Sequence, residues 1–113
     1  MPFDAAVSTI TNVDRLTYLR SLIDAPEKWI KYNFEEDQMF CLVGAANKTI
    51  ADLGGDRDEL VKILNRGVPI TRHRHLCPRA NVTHYNDKCS TSHRDVLAVV
   101  DRAIFRQNHA FLG

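Results

Sequence analysis

Residues 84–97, HYNDKCSTSHRDVL, gather two histidines, a cysteine, two aspartates, an asparagine and, counting Tyr85, four hydroxyls. Residues of these types can hold zinc, which takes four nitrogen or sulfur ligands in a tetrahedron, usually from close pairs. Cys89 and His93 are four apart, a spacing that sets two ligands on one side of a helical turn. His75 and Cys77 are two apart, which an extended strand points the same way. With His73 and His84 they make a candidate zinc set, although no Cys-x-x-Cys pair, the more specific signal, accompanies them.

A second chemistry pairs the Cys41 thiol with His93 as base and Asn86 or Asp87 as the group that orients the imidazole. The neighbours of Cys41 oppose it. Phe40, Leu42 and Val43 place the cysteine within an apolar helical run, where burial raises a thiol pKa and cysteine usually serves as a small core residue. A third possibility is anion binding. From Leu60 to Asn86 the chain has five bases, Lys62, Arg66, Arg72, Arg74 and Arg79, and no acid. The planar arginine fork suits phosphate or carboxylate, and protonation of His73 or His75 would strengthen the patch as pH falls. The binding residues expected on this reading are Arg66, Arg72, His73, Arg74, His75, Arg79, Tyr85 and His93. Each signal also has a purely structural account. Asn86-Asp87 suits a turn, His93 can bond loop carbonyls, and a block of like charge is often only a solvated face.

The elements that must position these residues are mostly helical. Thr11 or Asn12 caps a helix running to about Asp24, with Leu16, Leu19 and Ile23 on one face. Pro26 opens a second, short helix over residues 26–34 that would bury Trp29, Ile30 and Phe34. The run from Gln38 to Leu53 repeats Leu42, Ala46, Ile50 and Leu53 at helical spacing and ends at Gly54-Gly55. Asp56 then caps a helix carrying Leu60, Val61 and Leu64, which Gly67 closes. Residues 67–90 show no helical period and read as a long irregular loop, with room for a short strand or hairpin. Ser92, with Asp95 three residues on, starts a last helix to about Asn108, striped by Val96, Leu97, Val100, Ala103 and Ile104.

The 113 residues suffice for one domain with a modest core, and 44% apolar with 26% charged residues is ordinary for a soluble globule. A net charge of +1 gives no strong global field for nucleic acid or membrane. Three cysteines, an odd number, point to reduced thiols and a cytoplasmic setting. The N-terminus lacks the pattern of a signal peptide, and no apolar stretch reaches the roughly 18 residues of a membrane span. The expected organisation is a flexible arm over 1–11, a single helical domain over 12–108 and a tail over 109–113.

Two pieces of the chain resemble a family of small, uncharacterised bacterial and phage proteins, a domain of unknown function. They are Trp29 with FCLVGA at 40–45, and YNDKCSTSHRDVLAVVDRAI at 85–104. The matching positions are Trp29, Cys41, Gly44, Ala45, Tyr85, Asn86, Asp87, Ser92, His93, Val96, Asp101, Ala103 and Ile104. The resemblance implies a layout and no mechanism. Tyr85 stands where tryptophan is commoner, and His73, His75, Cys77, His84 and Cys89 lie outside the pattern.

The expectation is therefore a mainly α protein, a compact bundle of four to five helices with one long basic loop. Its first functional reading is a small non-catalytic interaction or regulatory module that binds an acidic protein surface or nucleic acid through that loop. No cofactor is expected on this reading. Phe105 and Phe111 near the C-terminus could serve a homodimer. The second reading is a zinc-binding domain or zinc-dependent enzyme using His75, Cys77, His84, Cys89 and His93. The third is a hydrolase or transferase using Cys41, His93 and Asp87.

Overall fold

Three helix starts are set by side-chain oxygens that accept backbone N–H groups. Thr11 and Asp14 form a reciprocal capping box at the first helix, and Ser92 and Asp95 do the same at the last. Asp56 accepts from the N–H groups of Asp58 and Glu59. The computed structural model describes residues 9–69, 78–87 and 91–109, the side chains of 78–81 excepted. These residues form five helices: α1 (Asn12–Leu22), α2 (Leu42–Leu53), α3 (Arg57–Gly67), α4 (Pro78–Asp87) and α5 (His93–Asn108). A 3-10 turn at Pro26–Lys28 and a two-stranded hairpin, β1 (Glu35–Glu36) with β2 (Met39–Phe40), lie between α1 and α2.

The core follows the helical periods. Leu16, Leu19 and Ile23 of the α1 region meet Leu42, Val43, Ala45 and Ala46 of α2, Leu60, Val61, Ile63 and Leu64 of α3, and Val96, Val99, Val100 and Ala103 of α5. Helix α5 packs on α3 and α1, α1 also packs on α2, and α4 sits against α3 and α2. Burying such aliphatic side chains contributes roughly 1.5–3 kcal/mol each, so this shared face holds the bundle together. Gly54, at φ 79°, takes the left-handed conformation that ends α2. The architecture is mainly α, as the periodicities indicated.

Three local expectations need correction. Residues 26–34 are not a helix beyond the 3-10 turn. The chain runs extended at Trp29, which bridges to Phe40, and the Ile30 N–H donates to the Phe40 carbonyl. Pairing across space outweighs the weak local helical preference here. Trp29 and Ile30 are half-buried, whereas Phe34 is exposed. Next, α2 starts at Leu42 rather than Gln38, because Met39 and Phe40 are drawn into the hairpin and Cys41 becomes the N-cap. Finally, the stretch 67–90 contains the ten-residue helix α4. Pro78 occupies its first position, where a missing N–H costs nothing. Residues 70–77 and 88–90 lie outside the described residues.

Candidate functional site

The last turn of α4 carries Asn86 into the space between the Trp29 strand and the start of α2, and its side chain is fully buried. All four hydrogen-bonding positions of that amide are filled. Its Oδ1 accepts from Trp29 Nε1 at 2.7 Å and from the Leu42 backbone N–H at 3.2 Å. Its Nδ2 donates to the Ile30 carbonyl at 3.2 Å and to Asp87 Oδ1 at 2.9 Å. Asp87 Oδ1 also accepts from the Tyr32 backbone N–H at 2.8 Å. Asn86 and Asp87 thus end a helix, where the sequence suggested a turn, and they fix residues 30–32 from beneath.

His93, the first residue of α5, stands on the other side of Trp29, with ring centroids 6.0 Å apart. Its Nε2 is 2.6 Å from the carbonyl oxygen of Ile23, the C-cap of α1. A carbonyl only accepts, so Nε2 carries the proton in this contact. His93 therefore ties the start of α5 to the end of α1, where the helix dipole favours a donor.

Cys41 is buried at 3% exposure, and its Sγ accepts from the Gly44 N–H at 3.3 Å. Burial pushes its thiol pKa up, against a smaller opposing pull from the N–H groups of Gly44 and Val43. The backbone of Phe34 runs directly over this turn. An added Cβ on Gly44 would stand 1.7 Å from the Phe34 carbonyl oxygen, so only glycine lets the loop and helix approach. The Cys41 N–H donates to that same carbonyl at 3.3 Å. The small residues at 41 and 44 accordingly admit a loop backbone rather than a neighbouring helix.

Trp29, Cys41, Gly44, Asn86, Asp87 and His93 thus come together in one polar node. Among the described residues, no hydrogen bond joins Cys41 to His93 or His93 to Asp87. Of the zinc set, only His84, exposed on α4, and His93 are described; His73, His75, Cys77 and Cys89 lie outside. No three His, Cys, Asp or Glu side chains among the described residues are placed to share a metal ion.

A second constellation lies at the far ends of α3 and α5. Arg102 Nε donates to the Gly67 carbonyl at 2.8 Å, and Arg106 Nη1 donates to the Arg66 carbonyl. Both guanidinium groups thereby meet the C-terminal carbonyls of α3, its partially negative pole. Burial and the Asp95 charge push the Tyr85 phenol pKa up, and the nearby Arg102 guanidinium opposes them. Lys62 and Arg66 are exposed beside them. They line a shallow cleft of about 280 Å³ with Asn12, Glu59, Ile63 and Gln107. Lys62, Arg66, Arg102 and Arg106 form no ion pair among the described residues, whereas Asp101 on the same helix is matched by Arg20 at 2.7 Å. Of the expected binding residues, Arg66, Tyr85 and His93 are described with their side chains. Arg79 is placed on α4 without its side chain, and Arg72, His73, Arg74 and His75 lie outside. The sequence pattern does not single out Arg102 and Arg106. They fall one turn apart on α5, but nothing in the sequence says that this turn docks on the end of α3.

Among the described residues no helix is long and apolar enough to cross a membrane. No curated protein and no solved structure matches the chain. A family model covers residues 8–106, nearly the full length, and on that ground the chain belongs to DUF6197, a family of unknown function.

Proposed function

We propose that this protein is a small, non-catalytic interaction module of the cytoplasm that binds an acidic protein surface through its basic end. The observation that carries this reading is the cluster of Lys62, Arg66, Arg102 and Arg106 around the end of α3, without ion pairs among the described residues. Two of the three guanidinium groups, those of Arg102 and Arg106, are oriented by backbone carbonyls, so the cluster is partly preorganised. Arg72 and Arg74 follow Arg66 in the sequence and carry the same charge.

The node supports a structural role for the reactive residue types. Cys41 is buried with a raised pKa, and the Nε2 of His93 is engaged by a carbonyl. A protein surface fits the basic end better than nucleic acid does. Among the described residues the exposed large ring there, Phe105, is stacked on His109 at 4.1 Å, and no row of aromatic platforms among them interleaves the cations.

The test is binding of labelled polyglutamate and of duplex DNA to the full chain across a salt series. Polyglutamate should bind more tightly than the duplex, weaken as salt rises, and lose most of its affinity in a Lys62→Gln, Arg66→Gln variant. Unchanged binding by that variant removes the basic end from the account, and a preference for the duplex replaces the protein partner with nucleic acid.

A further inference from the structure

We infer that residues 31–37 form a second contact surface, and that its partner is the basic end of another copy of this chain, docked head to tail. The inference rests on the reading of the basic end given above and names its acidic partner.

The backbone of this segment is held from below. Asp87 accepts from the Tyr32 N–H, Asn86 donates to Ile30, and the Phe34 carbonyl lies against Gly44 and accepts from Cys41. The side chains go the other way. Tyr32 is 72% exposed and Phe34 is 58% exposed, two of the three large apolar residues that face solvent among those described. Tyr32 holds a positive φ of 71°, enforced by the bond from its N–H to Asp87, whereas Asp37 (φ 50°) and Gln38 (φ 66°) are the two residues of the β1–β2 hairpin turn, which calls for positive φ at both. A fold that needed only to connect α1 to α2 has no use for two pinned, outward-facing rings.

Charge selects the occupant. Glu35, Glu36 and Asp37 are exposed and have no ion pair among the described residues. Aromatic rings flanked by carboxylates suit arginine and lysine, which stack on the rings and pair with the acids. The complementary surface is present on this same chain. The aromatic segment adjoins Trp29, which meets His93 at the start of α5, whereas the basic end is built on Arg102 and Arg106 in its last turns. From His93 to Arg106 the helix rises roughly 20 Å, more than twice the screening length of about 8 Å at physiological salt. The two surfaces therefore do not neutralise each other within one molecule but can do so between two. The contact joins unlike faces, so it propagates instead of closing as a symmetric dimer.

Sedimentation velocity of the full chain tests this. In low salt the average mass should climb above the 12.9 kDa monomer as concentration rises, and return to it in high salt. A Tyr32→Ala, Phe34→Ala variant and a Lys62→Gln, Arg66→Gln variant should each stay monomeric, with unchanged Trp29 emission showing an intact fold. Mixed in equal amounts they should form a heterodimer and nothing larger, because each keeps one working face. A wild-type chain that stays monomeric at every concentration overturns the inference. If polyglutamate still binds through Lys62 and Arg66, the proposed function survives that result; if it does not, both fall. Association that survives high salt and the Lys62/Arg66 variant, but not the Tyr32/Phe34 variant, also overturns the inference, since it marks an apolar symmetric contact.

Discussion

Replacing Asn86 by alanine should destabilise the protein far more than loss of one small side chain suggests. The substitution removes the acceptor of two donors, Trp29 Nε1–H and the Leu42 N–H, and the donor to the Ile30 carbonyl. A buried donor left without a partner costs about 1–3 kcal/mol, so the two donors alone give a loss centred on about 4 kcal/mol. A domain of this size is stable by roughly 5–15 kcal/mol, so the loss is a large share of the whole. The melting temperature should fall by on the order of 20 °C. Urea unfolding followed by emission of Trp29, the single tryptophan, reads the effect at the site where it arises. Asn86→Asp provides the control for mechanism. It keeps the acceptor oxygens but loses both donated bonds and sets a second carboxylate beside Asp87. Burial and like charge would raise its folded pKa above the unfolded value. Its penalty is then smallest below the ordinary carboxylate range and grows as pH rises. A loss under about 1 kcal/mol for Asn86→Ala would refute the view that this amide organises the loop.

Acid should weaken the protein partly through its helix caps. The carboxyls of Asp14 and Asp95 lie below the ordinary value, held there first by the backbone N–H groups of Thr11 and Ser92 and then by their hydroxyls. A folded pKa below the unfolded one gives stability that is present above the unfolded pKa and lost as pH falls through the folded one. An Asp14→Asn, Asp95→Asn variant should show a shallower acid limb in denaturation against pH, and identical slopes would remove the caps from the explanation. The Cys41 thiol should resist an alkylating reagent in the native state and react freely in denaturant, measured in a Cys77→Ser, Cys89→Ser background. Native labelling at the rate of a free thiol would contradict its burial.

What was legible in the sequence was local. The Ser92 and Asp95 pair are three residues apart, so their capping box is visible as a pattern and is present. The stripes of α1, α3 and α5 follow from periodicity for the same reason. The node was not legible, because Asn86 meets Trp29 across 57 positions and Leu42 across 44. Helix α4 has no apolar period in the sequence, and among its described side chains Val82 is the buried apolar anchor. The segment 26–34 misled in the opposite direction. Trp29, Ile30 and Phe34 are spaced as on a helix face, but the Ile30 N–H donates to Phe40 and its carbonyl accepts from Asn86, which holds the chain open.

By sequence the candidate residues group by reactivity; in the structure they group by what they hold. Asn86 ends on Ile30 and Leu42, Asp87 on Tyr32, His93 on Ile23 and Cys41 on Gly44, each through a main-chain group. A general base needs a lone pair directed at substrate, and a nucleophile needs a path to it. Main-chain ties of this kind instead fix the course of a polypeptide. The course they fix is that of residues 30–34, whose backbone faces the node and whose aromatic side chains face water. The residues whose types suggest catalysis thus each tie down main chain within or beside this segment. Weakening the node should loosen residues 30–34 as well as lower the stability of the whole fold.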